Sequence, residues 1–277
     1  MNVYISADLE GITGVTSPHQ ISLTAPEYGQ ARQWMIEDVN AAVAGALEGG
    51  AGKIVVRDAH GPAINILPDR LHPAARLVAG WGPVLDMLQG LDAGFDVVFF
   101  IGYHPGPPTP GGVLSHTYSM AHIREVTVNG LSAGESLLNA IQAGVHGVPV
   151  GLVTGEQGLR EEIAPALANA LFVPTKTGFG YRCALLEPMQ ECRERIRAAA
   201  AAAVQRCRGG GGFPVYRPET PIRAQVDFHR AEACSASLLV PGVEPVDARS
   251  IRLQAATAAE FVRRFQLLCQ LLYGLER

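Results

Sequence analysis

Short apolar runs that end in chemically useful residues constrain this chain more than anything else in it. Val3-Tyr4-Ile5-Ser6-Ala7 reads as a buried β-strand and runs directly into Asp8-Leu9-Glu10 and then Gly11. Lys53–Arg57 leads into Asp58-Ala59-His60-Gly61, and Val97–Gly102 into Tyr103-His104-Pro105-Gly106. Val148–Thr154 is a fourth run of the same kind. Runs this short, rich in β-branched or aromatic residues and separated by helical patterns, predict an α/β fold: three α/β/α layers around a mainly parallel sheet. In such a sheet the strand C-termini share one edge, where open α/β sheets bind ligands. Asp8, Glu10, His60 and His104 are therefore expected to converge.

Pro26 to Leu47 reads as the first long helix, with Ile36, Val39, Val43 and Leu47 at helical spacing, Pro26 in its first turn and Gly49-Gly50 as its stop. Arg124–Val128 reads as a strand and Asn129-Gly130 as a tight turn. Ser132, with Glu135 three residues on, matches a capping box for a helix ending near Ala143. Glu187 to Cys207 is a second long helix carrying the alanine run 198–203, since alanine is the best helix former. Gly209–Gly212 is the clearest linker. Beyond it, Ile222–Phe228 and Ser250–Ala255 read as strands and Glu260–Leu275 as a closing amphipathic helix. The expected division is a metal-binding α/β unit over 1–208 and a smaller α+β portion over 213–277 packed on it.

A chain of 277 residues, 48% hydrophobic and 17% charged, has ample core and is not expected to be disordered. Its net charge of −4 speaks against a nucleic-acid partner. No basic, apolar leader and no apolar stretch approaching ~20 residues is seen, so neither a secretory signal nor a membrane partner is expected, and the reading is cytoplasmic. The five cysteines (183, 192, 207, 234 and 269) form no CxxC pair, and their odd number suggests reduced thiols.

Side chains at i and i+2 of a strand share a face, so Asp8 and Glu10 repel unless something positive lies between them. Two carboxylates with two imidazoles suit Zn²⁺, and less specifically Mn²⁺ or Co²⁺. One zinc needs three or four of these ligands. A fifth, for which Glu135 is the best candidate, favours two metals sharing a bridging carboxylate, an arrangement suited to hydrolysis. Each piece has a blander reading: Asp-x-Glu as a capped turn, Glu135 as a helix cap, each histidine as a structural one. Their joint placement at successive strand ends favours the metal. His116 lies in Gly111-Gly112-Val113-Leu114-Ser115-His116-Thr117, where glycines allow close approach of a ligand and histidine supplies acid–base chemistry. A satisfied histidine between two short strands is the plainer alternative. A Ser115–His116 nucleophile pair is discounted, because neighbours in an extended segment point to opposite faces. His19, His72, His122, His146 and His229 read as surface or structural, and no phosphate-cradling glycine motif is present.

Taken in order, Ser6-Ala7-Asp8-Leu9-Glu10-Gly11-Ile12-Thr13-Gly14, Arg57-Asp58-Ala59-His60-Gly61, Gly102-Tyr103-His104, Leu114-Ser115-His116-Thr117 and Val128-Asn129-Gly130 through Gly134-Glu135 resemble the zinc-dependent D-aminopeptidases of the bacterial dipeptide-operon type. The resemblance covers about the first 155 residues well. It implies two Zn²⁺ per subunit, with Asp8 bridging, Glu10 and His60 completing one site, and His104 and Glu135 the other. It implies a catalytic role for His116 and hydrolysis of short peptides with an N-terminal D-residue, such as D-alanine. It also implies a large ring-shaped homo-oligomer, a decamer of two pentamers. The residues alone support only a metal hydrolase, leaving a metal-dependent phosphoesterase, another amidohydrolase or a non-catalytic metal- or peptide-binding protein as rival readings. Lys176-Thr177-Gly178-Phe179-Gly180-Tyr181-Arg182 has no clear place in the pattern.

Overall fold

The computed structural model describes residues 1–82 and 86–275. In chain order it contains β1 (Asn2–Ala7), α1 (Pro18–Ile21), α2 (Tyr28–Glu48), β2 (Lys53–Asp58), β3 (Ala75–Val78), β4 (Val97–Tyr103), β5 (Ile123–Val128) and β6 (Leu131–Ser132). There follow α3 (Glu135–Val145), β7 (Val150–Glu156), α4 (Gln157–Leu167), β8 (Leu171–Gly180), β9 (Cys183–Leu186) and α5 (Met189–Arg208). The chain closes with β10 (Ile222–Phe228), α6 (Ala231–Ser237), β11 (Val243–Asp247), β12 (Ser250–Ala255) and α7 (Ala258–Leu275).

The larger sheet has seven strands in the order β3-β2-β1-β4-β7-β8-β9, parallel throughout except for β9 at the edge. Alternation along β1 sorts its two faces. Val3, Ile5 and Ala7 join the core under α2 and α5, with Val39, Val43, Ile196 and Val204. Tyr4 points the other way, into a core with Phe100, Ala140, Leu159 and Ile163 from β4, α3 and α4. The expected three layers are there. β1 lies between β2 and β4, with Ala7 level with Asp58 on one side and Ile101 on the other. The three segments that follow these strands therefore leave the sheet side by side.

The smaller sheet, β11-β12-β10-β5-β6, is antiparallel. Its strands come from both sides of the glycine run, because β5 buries Ile123, Val126 and Val128 against β10 and the helices α6 and α7. The 213–277 segment thus completes its sheet with a hairpin from the first half of the chain. Asn129 and Gly130 turn that hairpin with φ of 50° and 81°, the left-handed pair that a two-residue turn requires. Asn129 also bonds Arg223 N–H and Glu219 C=O, tying the turn to the approach to β10. Ser132 ends in β6 rather than capping α3; the helix starts at Glu135 itself, behind Gly134, with no side-chain cap. Likewise, Pro26 precedes α2, whose N-cap is Glu27. α3 serves both sheets, with Ala140 and Ala143 in one core and Leu137, Leu138 and Ile141 in the other. In α7, Phe265, Leu268 and Leu272 are buried in the smaller core, so most of its apolar stripe is a core face.

β8 braces the loop that follows β1. Thr175 Oγ1 donates to Gly11 C=O at 2.6 Å, and the buried Lys176 ammonium donates to Glu10 C=O at 2.6 Å and to Val15 C=O. Burial pushes Lys176 down to about 8, against the pull of Glu156 and Glu10. Lys176 of the segment without a clear place in the sequence pattern thus has a structural role.

Two experiments probe this frame. A Cβ at Gly45 of α2 would sit 2.0 Å from Arg197 C=O of α5, whereas one at Gly29 of the same helix meets nothing. Gly29→Ala is expected to stabilise by roughly 0.5 kcal/mol through helix propensity, while Gly45→Ala destabilises by about 2 kcal/mol or more, read by chemical denaturation. Lys176→Met leaves two buried carbonyls without their charged donor and is expected to cost about 2–3 kcal/mol in the same measurement.

Candidate metal centre

The loop after β1 fits its neighbours so closely that only glycine can occupy position 11. Asp8 N–H donates to Ile101 C=O and Gly11 N–H to Gly102 C=O, each at 2.8 Å. A Cβ at Gly11 would lie 1.9 Å from Tyr103 C=O. This fit presses Asp8 and Glu10 against the loops that carry His60 and His104. Glu135 arrives separately, as the first residue of α3.

Asp8 faces two ways. Its Oδ1 is 3.4 Å from His60 Nδ1, and its Oδ2 is 3.5 Å from His104 Nε2. His60 Nδ1 also lies 3.0 Å from Glu10 Oε2, and His104 Nε2 lies 3.4 Å from Glu135 Oε2. His116 Nε2 is 3.7 Å from Glu135 Oε1, and its ring stacks on His104 with centroids 4.2 Å apart. All six sequence-predicted site residues are thus brought together. Donor atoms within 4.8 Å of one another form two overlapping triplets, Asp8–Glu10–His104 and His104–His116–Glu135.

The backbone sets the histidine tautomers. His60 Nε2 faces Ile21 C=O at 3.1 Å, His104 Nδ1 faces Pro105 C=O at 3.0 Å, and His116 Nδ1 faces Leu114 C=O at 2.9 Å. A carbonyl only accepts, so each of these nitrogens carries hydrogen. In the neutral ring the other nitrogen then offers a lone pair to the cluster, the usual outer-sphere arrangement of metal-ligating histidines. Glu135 is held likewise: Tyr118 N–H donates to its Oε1 at 2.7 Å, leaving Oε2 toward His104.

Electrostatics explain the crowding. Burial, then the Glu10 charge, push the Asp8 carboxyl up to about 7. Burial also opposes charge on Glu10 and Glu135, but His60 and His104 respectively outweigh it and hold both carboxyls below their usual range. In turn Glu10 and Asp8 raise His60 well above the ordinary histidine value against the effect of burial, and Glu135 and Asp8 raise His104 to about 10. His116 differs: burial and the neighbouring His104 charge lower it, so it stays neutral near pH 7. The donor set fits a divalent cation. Asp8 Oδ2 and His104 Nε2 are both buried with no hydrogen-bond partner, and an N/O set of this kind suits zinc.

The cluster opens onto a cavity of about 850 Å³ lined by Asp8, Glu10, His60, His116 and Glu135, while His104 lies behind them. Its other walls include residues that the sequence reading did not single out: Trp81, Asp86, Met87, Tyr118, Gln270 and Tyr273. Trp81 packs edge-on against Tyr273 at 4.7 Å and donates from Nε1 to Gln270 Oε1 at 3.2 Å. The last turn of α7 therefore closes one side of a site whose candidate ligands all lie in the first half of the chain. No helix among the described residues is long and apolar enough to cross a membrane.

Comparison with known proteins identifies the family. A curated D-aminopeptidase from Bacillus subtilis (strain 168) is 30% identical over 247 residues, spanning 88% of this chain and 87% of that one. A solved structure, described as the Zn-dependent D-aminopeptidase DppA from Bacillus subtilis, a self-compartmentalizing protease, superposes with a TM-score of 0.90 at 26% identity, over 99% of this chain and 98% of that one. The peptidase family M55, described as D-aminopeptidase, matches residues 1–267. With the family model matching residues 1–267 and a curated relative 30% identical over 88% of this chain, the chain belongs to the M55 D-aminopeptidase family.

Proposed function

We propose that this protein is a zinc-dependent aminopeptidase that hydrolyses short peptides bearing an N-terminal D-residue, such as D-alanine. The observation that carries the reading is Asp8, whose two oxygens face two separate groups of donors at the base of a cavity. Asp8 would bridge two zinc ions, with Glu10 and His60 completing one site and His104 and Glu135 the other. When bound, the ions supply Lewis acidity, which activates water and polarises a carbonyl. A cavity of about 850 Å³ suits a short peptide, since ligand clefts span about 300–1,000 Å³.

His116 is assigned the proton work. Its Nδ1–H is committed to Leu114 C=O, which leaves the lone pair on Nε2 to take a proton. Nε2 lies on the cavity side beside Glu135, from which a proton can pass to the departing amine. Leu114 and Tyr118, both at positive φ, bracket this segment and fix the ring where it stacks on His104. His116 is also close enough to be counted as a ligand with His104 and Glu135, so the zinc content of a His116 variant separates proton transfer from ligation.

The proposed assembly is a ring-shaped homo-oligomer, a decamer of two pentamers. Exposed Phe179, Leu185, Leu186 and Leu239 are apolar surface that such contacts would cover, and the structural neighbour is described as self-compartmentalizing.

Elemental analysis is expected to find zinc in the purified protein and little in Asp8→Ala; full occupancy of that variant would refute the bridging role. His116→Ala should keep its zinc while kcat on D-alanyl amides falls by about 10²–10⁴-fold. A chelator should abolish activity and added zinc restore it. Size-exclusion chromatography with light scattering should return a decamer, and a clean monomer would exclude the ring.

A further inference from the structure

Asp86 takes no part in the chemistry above, yet it is held in the cavity wall at some cost. It is only 6% exposed, and its Oδ2 is buried with no hydrogen-bond partner. Burying a carboxylate oxygen without bonding it is unfavourable, and such a group calls for an explanation, which on a cavity wall a ligand can provide. Its backbone is also unusual: φ is 42°, a left-handed value uncommon outside glycine and a recurrent sign of functional constraint.

The surroundings impose this placement. The buried Arg57 donates from Nε to Asp86 C=O at 2.9 Å and from Nη1 to Gly80 C=O at 2.7 Å. Ser6 Oγ donates to Met87 C=O at 2.8 Å. The turn at Asp86–Leu88 is thus bolted to β1 and β2, the strands that deliver Asp8 and His60. Arg57 spends these donors on carbonyls, so it fixes the turn without bonding the Asp86 carboxylate. Burial raises that carboxyl to about 7 despite the Arg57 charge, and Glu135 lies within electrostatic range.

Asp86 has no place in either triplet of clustered donor atoms. A single carboxylate on a cavity wall matches one small cation with N–H donors, and a peptide carries such a group next to its first carbonyl. We infer that Asp86 binds the α-ammonium of the substrate's first residue, holding the free amino terminus beside the metal centre. This rests on the peptidase reading and sharpens it into recognition of a chain end. A blocked amino terminus would leave Asp86 facing a neutral amide. Sites built around a buried polar partner reject ligands that lack it.

The test compares D-alaninamide with propionamide, which lacks only the amine, by calorimetry on the metal-loaded protein in a His116→Ala background, where turnover of the amide is slow. With Asp86 intact, D-alaninamide should be preferred by at least tenfold. Asp86→Asn should bring that ratio close to one with zinc content unchanged, and with His116 in place should raise KM for D-alanyl amides more than it lowers kcat. Asp86→Glu, which keeps the charge, should retain part of the preference and guards against misfolding of the first variant. An unchanged ratio in Asp86→Asn, equal weakening of both ligands, or loss of zinc would each overturn the assignment. If wild type binds D-alaninamide through Asp86 but hydrolyses no peptide, the ammonium site stands and the peptidase reading fails.

Discussion

Three carboxylates buried within reach of one another are the constraint on which the rest of this structure depends. Asp8, Glu10 and Glu135 are 2%, 2% and 4% exposed, so solvent does little to screen their repulsion. The fold must supply positive charge on the spot, and it does so with the imidazoles of His60 and His104, each oriented by a main-chain carbonyl. The packing around the cluster keeps these groups from separating. Gly11 lets the loop after β1 lie against β4, and Lys176 and Thr175 grip its carbonyls from β8. Relaxing the repulsion by moving apart would require breaking the centre of the sheet.

The cluster also explains why two sheets are joined as they are. Glu135 stands at the positive end of the α3 dipole, which favours an acidic group there. The helix keeps that position because its two faces are buried in different cores. One carboxylate of the centre thus reports on the packing of the smaller sheet, although its partners all follow strands of the larger one.

Much of this was legible in the sequence. The strands β1, β2 and β4 announce themselves as short apolar runs, and a parallel sheet brings their following residues together whatever the details. The N–G turn and the alanine-rich helix were plain for equally local reasons. Glu135 could be found by its spacing but was read through the wrong local device, since capping-box spacing cannot show that Ser132 is taken by a strand. β8 was missed because Lys176 and the glycines after it break the apolar pattern, and only the fold reveals that the lysine is buried for a purpose. Asp86, Trp81 and Tyr273 carry no local signal, because they meet the cavity through contacts between segments far apart in the chain. The glycine run looked like a boundary, yet strand pairing crosses it: β5 must have β10 to bury its apolar face.

The Trp81–Tyr273 contact separates two properties of the cavity along the sequence. Every candidate ligand lies at or before residue 135, whereas Gln270 and Tyr273 of α7 form part of the wall. A substitution in α7 can therefore reshape the space beside the acidic cluster without touching a single candidate ligand. Charge and shape are written in stretches far apart in the chain, and either can vary while the other is held.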